Sequence, residues 1–287
     1  MAERPRFPRS SVGPAGLIGD TIKQIVTVLY VPAEKDGKLI PAGTGFLISY
    51  PSRTRGDGGY RLVVTARHVV TNAAGTLQPG LRIRVNRKRG GTELLAIAAD
   101  EPTGRVFFHR DPKVDLCILP AGLDENVYEF RTLRHDFFPA ADALKAPTLK
   151  EGAEVIFLGL FVHHPGEQRN QPIIRFGKVA LVPTESILWG EHLLDLILIE
   201  AQAFEGNSGA PVFVFLGDRD GNDLPIPRLL GVLKGALTQK VIGRFEDDEN
   251  VRFWLPNTIG VSAVIPAYLL EEMLRETVIP ALDKNGP

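Results

Sequence analysis

Short apolar runs separated by Gly, Pro and Asp clusters fill the chain from residue 22 to residue 120. IKQIVTVLYV (22–31), GTGFLISY (43–50), YRLVVTA (60–66), LRIRVNRK (81–88), ELLAIAA (93–99), RVFFH (105–109) and VDLCILP (114–120) are of strand length and rich in β-branched and aromatic residues. Asp57–Gly58, between the second and third runs, has hairpin-turn chemistry. A second group holds EVIFLGLFV (154–162), PIIRFGKVALV (172–182), LLDLILIEA (193–201), PVFVFLG (211–217), RLLGVLKGAL (228–237) and IGVSAVI (259–265). Between the groups, 121–152 loses strand character and reads as a connection.

A helical stripe occurs at the end, where PAYLLEEMLRETVI (266–279) lines up Leu269, Leu270, Met273 and Leu274 behind Pro266, a residue suited to a first helical turn. Residues 1–20, with Pro5, Pro8, Gly13, Pro14 and Gly16, lack periodicity and read as a tail. The whole predicts an all-β protein, sandwich or barrel, divided as tail 1–20, first β unit 21–120, connection 121–152, second β unit 153–265, and C-terminal helix and tail 266–287.

Composition narrows the function classes. The 287 residues are 44% hydrophobic and 23% charged, ordinary for a globular protein with a sizeable core. A net charge of −1 gives no field favouring nucleic acid or an anionic membrane, and no basic groove interleaved with aromatics stands out. The lone Cys117 cannot form an internal disulfide, the start MAERPRFPRS lacks an apolar signal core, and no apolar window spans a bilayer, so a cytoplasmic location is expected.

The candidate chemistry centres on EGNSGAPVF (205–213). Gly, Asn and Ser are turn formers, and this stretch is by default a loop entering a strand. It also places Ser208 between glycines whose freedom lets backbone N–H groups converge on an oxyanion. A nucleophilic serine needs an imidazole and an orienting acid. His68 follows the strand YRLVVTA and opens HVVTNA; Asp115 begins the apolar strand VDLCILP, where burial calls for a partner. Asp111 competes for the acid role, but it precedes Pro112 in a turn-like RDPK. Cys117 reads as an inert core thiol, His163 and His164 as a solvated loop rather than metal ligands, and GDRDGNDLP (217–225) as a hairpin turn lacking the calcium-loop register. Glu246-Asp247-Asp248-Glu249 reads as an exposed hairpin tip, and no metal or organic cofactor is expected.

TARHVV, VDLCIL and GNSGAP, in that order, resemble the three signature blocks of the trypsin-like (chymotrypsin-fold) serine peptidases. GTGFLIS, LKEGAEVIFLGLF and IGVSAVIPAYLLEEML extend the likeness over roughly residues 22 to 278, in the manner of stand-alone bacterial members. The resemblance implies two antiparallel six-stranded β-barrels with a C-terminal α-helix and a site between the barrels. It implies His68 as general base and acid, Asp115 as its orienting acid and Ser208 as nucleophile. The oxyanion loop would be Gly206, Asn207 and Ser208, with the N–H groups of Gly206 and Ser208 as donors. Gln202, Phe204 and Glu205 would flank the specificity pocket, and Lys234, Gly235 and Ala236 would form the edge strand that pairs with substrate.

Where digestive members carry an aspartate that pairs with a new N-terminal amine, this chain has Asn207, so activation by cleavage is not expected. With few residues after the helix, no peptide-binding domain is expected there. A neutral Gln202 at the pocket floor predicts a small or medium uncharged residue before the scissile bond, although Glu205 at the mouth can attract a base nearby. The α/β-hydrolase elbow fails, since Ala210 stands where its second glycine belongs. The resulting expectation is a serine endopeptidase acting on polypeptides through an acyl-enzyme. Its rival is a protein-binding or regulated effector module on the same scaffold, latent without a regulatory protein partner.

Overall fold

The computed structural model describes residues 20–33, 35–54, 59–97, 106–219, 225–244 and 252–284. The tail 1–19, the Asp57–Gly58 turn, most of the 217–225 turn and the acidic run 246–249 lie outside the described residues.

The first half contributes β1 (Val26–Pro32), β2 (Leu39–Pro51), β3 (Gly59–Ala66), β4 (Arg82–Arg87), β5 (Thr92–Ala96), β6 (Phe107–Phe108), β7 (Leu116–Pro120), β8 (Tyr128–Glu129) and β9 (Leu133–Arg134). They form one sheet in the order β5-β4-β1-β2-β3-β7-β6, with β8 on β4 and β9 parallel to β2. Alternation decides which core each side chain joins. Leu47, Val63, Cys117 and Leu119 pack with Leu29, Ile83 and Val85 in a core of this sheet's own. Their neighbours Phe46, Ile48, Leu62, Val64, Leu116 and Ile118 point the other way, into a core shared with the second half. Both faces of these strands are therefore buried, which is why the sequence runs are almost continuously apolar. Each fully buried Phe or Leu contributes roughly 1.5–3 kcal/mol, so the central strands β2, β3 and β7 form a stiff platform.

The second half begins with β10 (Glu154–Gly159), β11 (Ile173–Leu181), β12 (Ile187–Trp189), β13 (His192–Leu194) and β14 (Ile197–Glu200). It continues with β15 (Pro211–Arg219), β16 (Pro225–Arg244) and β17 (Arg252–Pro266). Six of these close into an antiparallel barrel, β10-β11-β14-β17-β16-β15, as expected. Three details differ from the sequence pattern. The run 193–201 is not one strand: it divides around Asp195, His192–Leu194 pairing with β12 and Ile197–Glu200 entering the barrel. The β12–β13 hairpin itself turns at Gly190, with φ +63°. β16 and β17 run beyond the barrel as a two-stranded arm pairing Thr238–Arg244 with Arg252–Thr258.

The helices are few: α1 (Asp20–Lys23), α2 (Arg67–Val70), α3 (Ala267–Met273) and α4 (Ile279–Lys284), the last two joined by a π turn over Leu274–Val278. Pro266 ends β17 and caps α3 rather than entering it. Pro280 supplies no N–H to the ladder, and the wider turn just before it accommodates that loss. Leu270, Met273, Leu274, Val278 and Ile279 are buried against the shared core. Polar contacts return this helix to the first half: Tyr50 donates to Glu271 at 2.5 Å, and Asp283 accepts from Ser52 at 2.6 Å and Tyr60 at 2.8 Å. Among the described residues no helix is long and apolar enough to cross a membrane.

Candidate active site

Three connections between strands meet where the halves join. β3 ends at Ala66, and the chain makes the single helical turn α2, anchored by buried Val69 and Val70. Its exposed second residue is His68. Asp115 stands one residue before β7, its side chain 9% exposed. Two backbone bonds register the turn on that aspartate: Arg67 N–H donates to the Asp115 carbonyl at 3.1 Å, and His68 N–H donates to Asp115 Oδ1 at 2.9 Å. The His68 ring then meets the other carboxylate oxygen, Nδ1 to Oδ2, at 2.7 Å. Asp111, the rival acid, is exposed and accepts from the Lys113 N–H in its own turn.

Ser208 lies in the tight turn that enters β15. Ala210 N–H donates to Asn207 O at 3.0 Å, and Gly209 N–H donates to Leu233 O at 2.8 Å. Gly209 has φ +85°, and a Cβ there would collide with the Thr44 carbonyl oxygen, so the motif glycine is fixed by the first half's approach. Gly206 has φ +86°. Among the described residues the N–H groups of Gly206 and Ser208 make no hydrogen bond, whereas Asn207 N–H donates to Phe204 O at 3.0 Å. Asn207, expected in the oxyanion loop but not among its donors, has its N–H engaged within the loop. Its buried side chain ties the loop as well: Nδ2 donates to Leu160 O at 2.6 Å and Oδ1 accepts from Phe204 N–H at 2.9 Å.

Thr44, a residue the sequence reading passed over, joins the two halves here. Its hydroxyl donates to Gly206 O at 2.6 Å and accepts from Leu160 N–H at 2.8 Å. Its own N–H donates to Ser208 O at 2.9 Å. The loop beyond Leu160 is held from the first half as well. Buried Arg84 donates to the carbonyls of Pro165 at 2.9 Å, Gly166 at 2.5 Å and Glu167 at 3.0 Å.

His68, Asp115, Ser208, Lys234, Gly235 and Ala236 line one open cleft of about 530 Å³. Arg67, Lys113, Trp189, His192 and Leu194 complete most of its wall. Gln202, Phe204 and Glu205 lie outside that lining, on the exposed approach to Gly206; Phe204 stacks beneath the Arg175 guanidinium at 4.5 Å. The Ser208 hydroxyl donates to the Lys234 carbonyl at 3.1 Å. The Lys234 side chain does not face outward from its strand: its ammonium donates to Asp115 Oδ2 at 2.8 Å.

Burial works to raise the Asp115 carboxyl, but the His68 hydrogen bond and charge, with the Lys234 ammonium, outweigh it and hold the group below the usual carboxylate range. An ionised Asp115 only accepts, so the shared proton resides on His68 Nδ1 and leaves Nε2 as an acceptor. Cys117, opposite Thr65 in the strand pairing, is fully buried, and desolvation pushes its thiol up, in keeping with an inert core group. His163 and His164 are exposed, and among the described residues no three His, Cys, Asp or Glu side chains are grouped to hold a metal ion.

A family model described as "trypsin-like peptidase domain" matches residues 43–219, more than half of the chain. The chain belongs to the trypsin-like peptidase domain family. The matched segment of this trypsin-like domain contains His68, Asp115 and Ser208 and stops before Lys234. Among solved structures, the MamO protease domain from Magnetospirillum magneticum, in its apo form, is similar with a TM-score of 0.50 and 14% identity. That likeness covers 88% of this chain and 97% of the other, and it concerns the fold. The Rv3671c protease from M. tuberculosis, in its active form, is similar at a TM-score of 0.47 and 21% identity, covering 96% of this chain and 92% of the other. No curated protein matches the sequence.

Proposed function

We propose that this chain is a serine endopeptidase that hydrolyses polypeptides through an acyl-enzyme, with His68, Asp115 and Ser208 as its triad. One observation carries the reading: the 2.7 Å His68–Asp115 pair and the Ser208 hydroxyl open onto the same cleft. Asp115 fixes the tautomer in which Nε2 accepts a proton, so His68 is oriented as a general base before substrate arrives. The Gly206 and Ser208 N–H groups, unpaired among the described residues, are available to a developing oxyanion.

Catalysis begins with a rotation about the Ser208 side-chain bond. Its hydroxyl leaves Lys234 O and turns to His68, while the backbone of a substrate lying along Lys234–Ala236 takes over that carbonyl. Ser208 Oγ attacks the scissile carbonyl carbon, its proton passes to His68 Nε2, and the carbonyl oxygen collects negative charge beside the two N–H groups. Collapse breaks the C–N bond as His68 returns the proton to the leaving amine. Water, giving a proton to the same nitrogen, then attacks the acyl carbon. The ester C–O bond breaks as His68 passes that proton to Ser208 Oγ, releasing the carboxylic acid and restoring the serine.

A fluorophosphonate probe tests this reading, because it phosphonylates an activated serine. Labelling of the wild type with none of Ser208→Ala or His68→Ala is expected. An unlabelled wild type, or one labelled elsewhere, would overturn it.

A further inference from the structure

The Asp115 carboxylate serves three donors, and one of them is a full cation. Oδ1 accepts the His68 backbone N–H at 2.9 Å, while Oδ2 accepts both His68 Nδ1 at 2.7 Å and Lys234 Nζ at 2.8 Å. Asp115 and Lys234 have side chains only 9% and 15% exposed, whereas the His68 side chain is 51% exposed. A lysine placed so deep beside one carboxylate, sharing a single oxygen with an imidazole, is not a surface ion pair that solvent screens.

Other charged groups surround the pair without touching the carboxylate. On the cleft side these are Arg67 of α2, Lys113 of the turn before Asp115, and His192 of β13. Behind Asp115 a second cavity, of about 320 Å³, is lined by His109, Arg110, Asp111, Asp195 and Glu272. Arg67 spreads its guanidinium over the Phe108 ring at 4.7 Å. Among the described residues, the Lys234 ammonium is therefore the one permanently charged side chain in contact with the Asp115 carboxylate.

We propose that Lys234 is a positioning residue that acts through Asp115, fixing the carboxylate on His68 and limiting how strongly it favours a charged imidazolium. Two effects point the same way. The ammonium offsets much of the carboxylate's field at the ring, and it repels an imidazolium that shares its oxygen. The same side chain belongs to the strand whose carbonyl holds the Ser208 hydroxyl, so one residue touches both ends of the constellation.

This inference rests on the peptidase reading, and its test separates the two. Lys234→Met removes the cation, Lys234→Arg keeps it, and Lys234→Gln keeps an N–H donor without charge and serves where the Met variant does not fold. The first readout is the pH dependence of kcat/KM on a peptide substrate. Its acid limb is expected to move up by about 1 pH unit in the neutral variants and to return towards wild type in Lys234→Arg. The second is the carbon-13 titration of the Asp115 carboxyl, which needs no activity and is expected to move to higher pH when the cation is removed. An acid limb that stays within about 0.3 unit in an active neutral variant overturns the inference. An Asp115 titration that does not move overturns it whether or not the chain cleaves peptides. A wild type that neither labels nor hydrolyses defeats the peptidase reading alone and leaves the titration to judge the lysine.

Discussion

Thr44→Val is a nearly isosteric change that deletes one hydroxyl from a fully buried position between the halves. Two bonds are lost: the 2.6 Å donation to Gly206 O and the 2.8 Å acceptance from Leu160 N–H. A hydrogen bond contributes about 1 kcal/mol net, but each partner left unsatisfied in a buried site costs about 1–3 kcal/mol. The added methyl returns less than about 1 kcal/mol of that. A loss of about 2–4 kcal/mol follows for the whole fold, measured as the shift in urea unfolding midpoint at constant m-value. Thr44→Ser keeps both bonds and gives up one methyl, so about 1 kcal/mol is its expected loss. The contrast between the two variants isolates the hydroxyl. The same bonds also fix the peptide that follows the Gly206 amide, so Thr44→Val, where folded, should lower kcat more than it raises KM. Equal stability of the Val and Ser variants would refute the assignment of Thr44 as the clamp between halves.

Two further outcomes are expected. The Asp283 carboxyl is lowered to about 2, chiefly by the Ser52 hydroxyl, with further donors from Tyr60, Arg53 and Thr54 together outweighing the opposing effect of desolvation. A depressed carboxyl stabilises the fold above its unfolded titration near 4 and stops doing so as pH falls through about 2. Wild type should thus lose its advantage over Asp283→Asn between those values in pH-dependent unfolding, and an advantage unchanged across that window would exclude these hydrogen bonds as its source. The cleft wall carries Arg67 and Lys113, while Lys234 is already committed to Asp115. Peptides with Glu near the cleavage site should therefore be cut about 3- to 10-fold faster than Lys counterparts at low salt, with the difference shrinking as salt rises. Equal rates for the two peptides would count against a cationic cleft.

What the sequence revealed tracked local patterning. Strand-length apolar runs disclosed the β framework because period and length are local properties, and TARHVV, VDLCIL and GNSGAP pointed, through a family resemblance, to residues that line one cleft. The missing parts depended on distant neighbours. Thr44 lies inside an apolar run and gains its role only when Gly206 and Leu160 arrive from the other half. Lys234 reads only as part of a substrate-pairing edge strand until Asp115 is placed opposite its side chain. The hairpin of Ile187–Trp189 with His192–Leu194 was hidden because its strands are only three residues long, and LLDLILIEA looks continuous although it turns at Asp195. The motif places Asn207 in the oxyanion loop but does not show its anchoring bonds, Asn207 N–H to Phe204 O and Nδ2 to Leu160 O, because Leu160 arrives from a distant strand end.

The most direct measurement is turnover of a quenched-fluorescent peptide mixture by the purified chain beside Ser208→Ala and Asp115→Asn. Wild type is expected to cleave internal peptide bonds, Ser208→Ala to fall to background, and Asp115→Asn to stay folded with turnover lower by about 10,000-fold, because its imidazole takes the wrong tautomer. Peptide cleavage that survives in Ser208→Ala, or that Asp115→Asn leaves unchanged, would contradict the account.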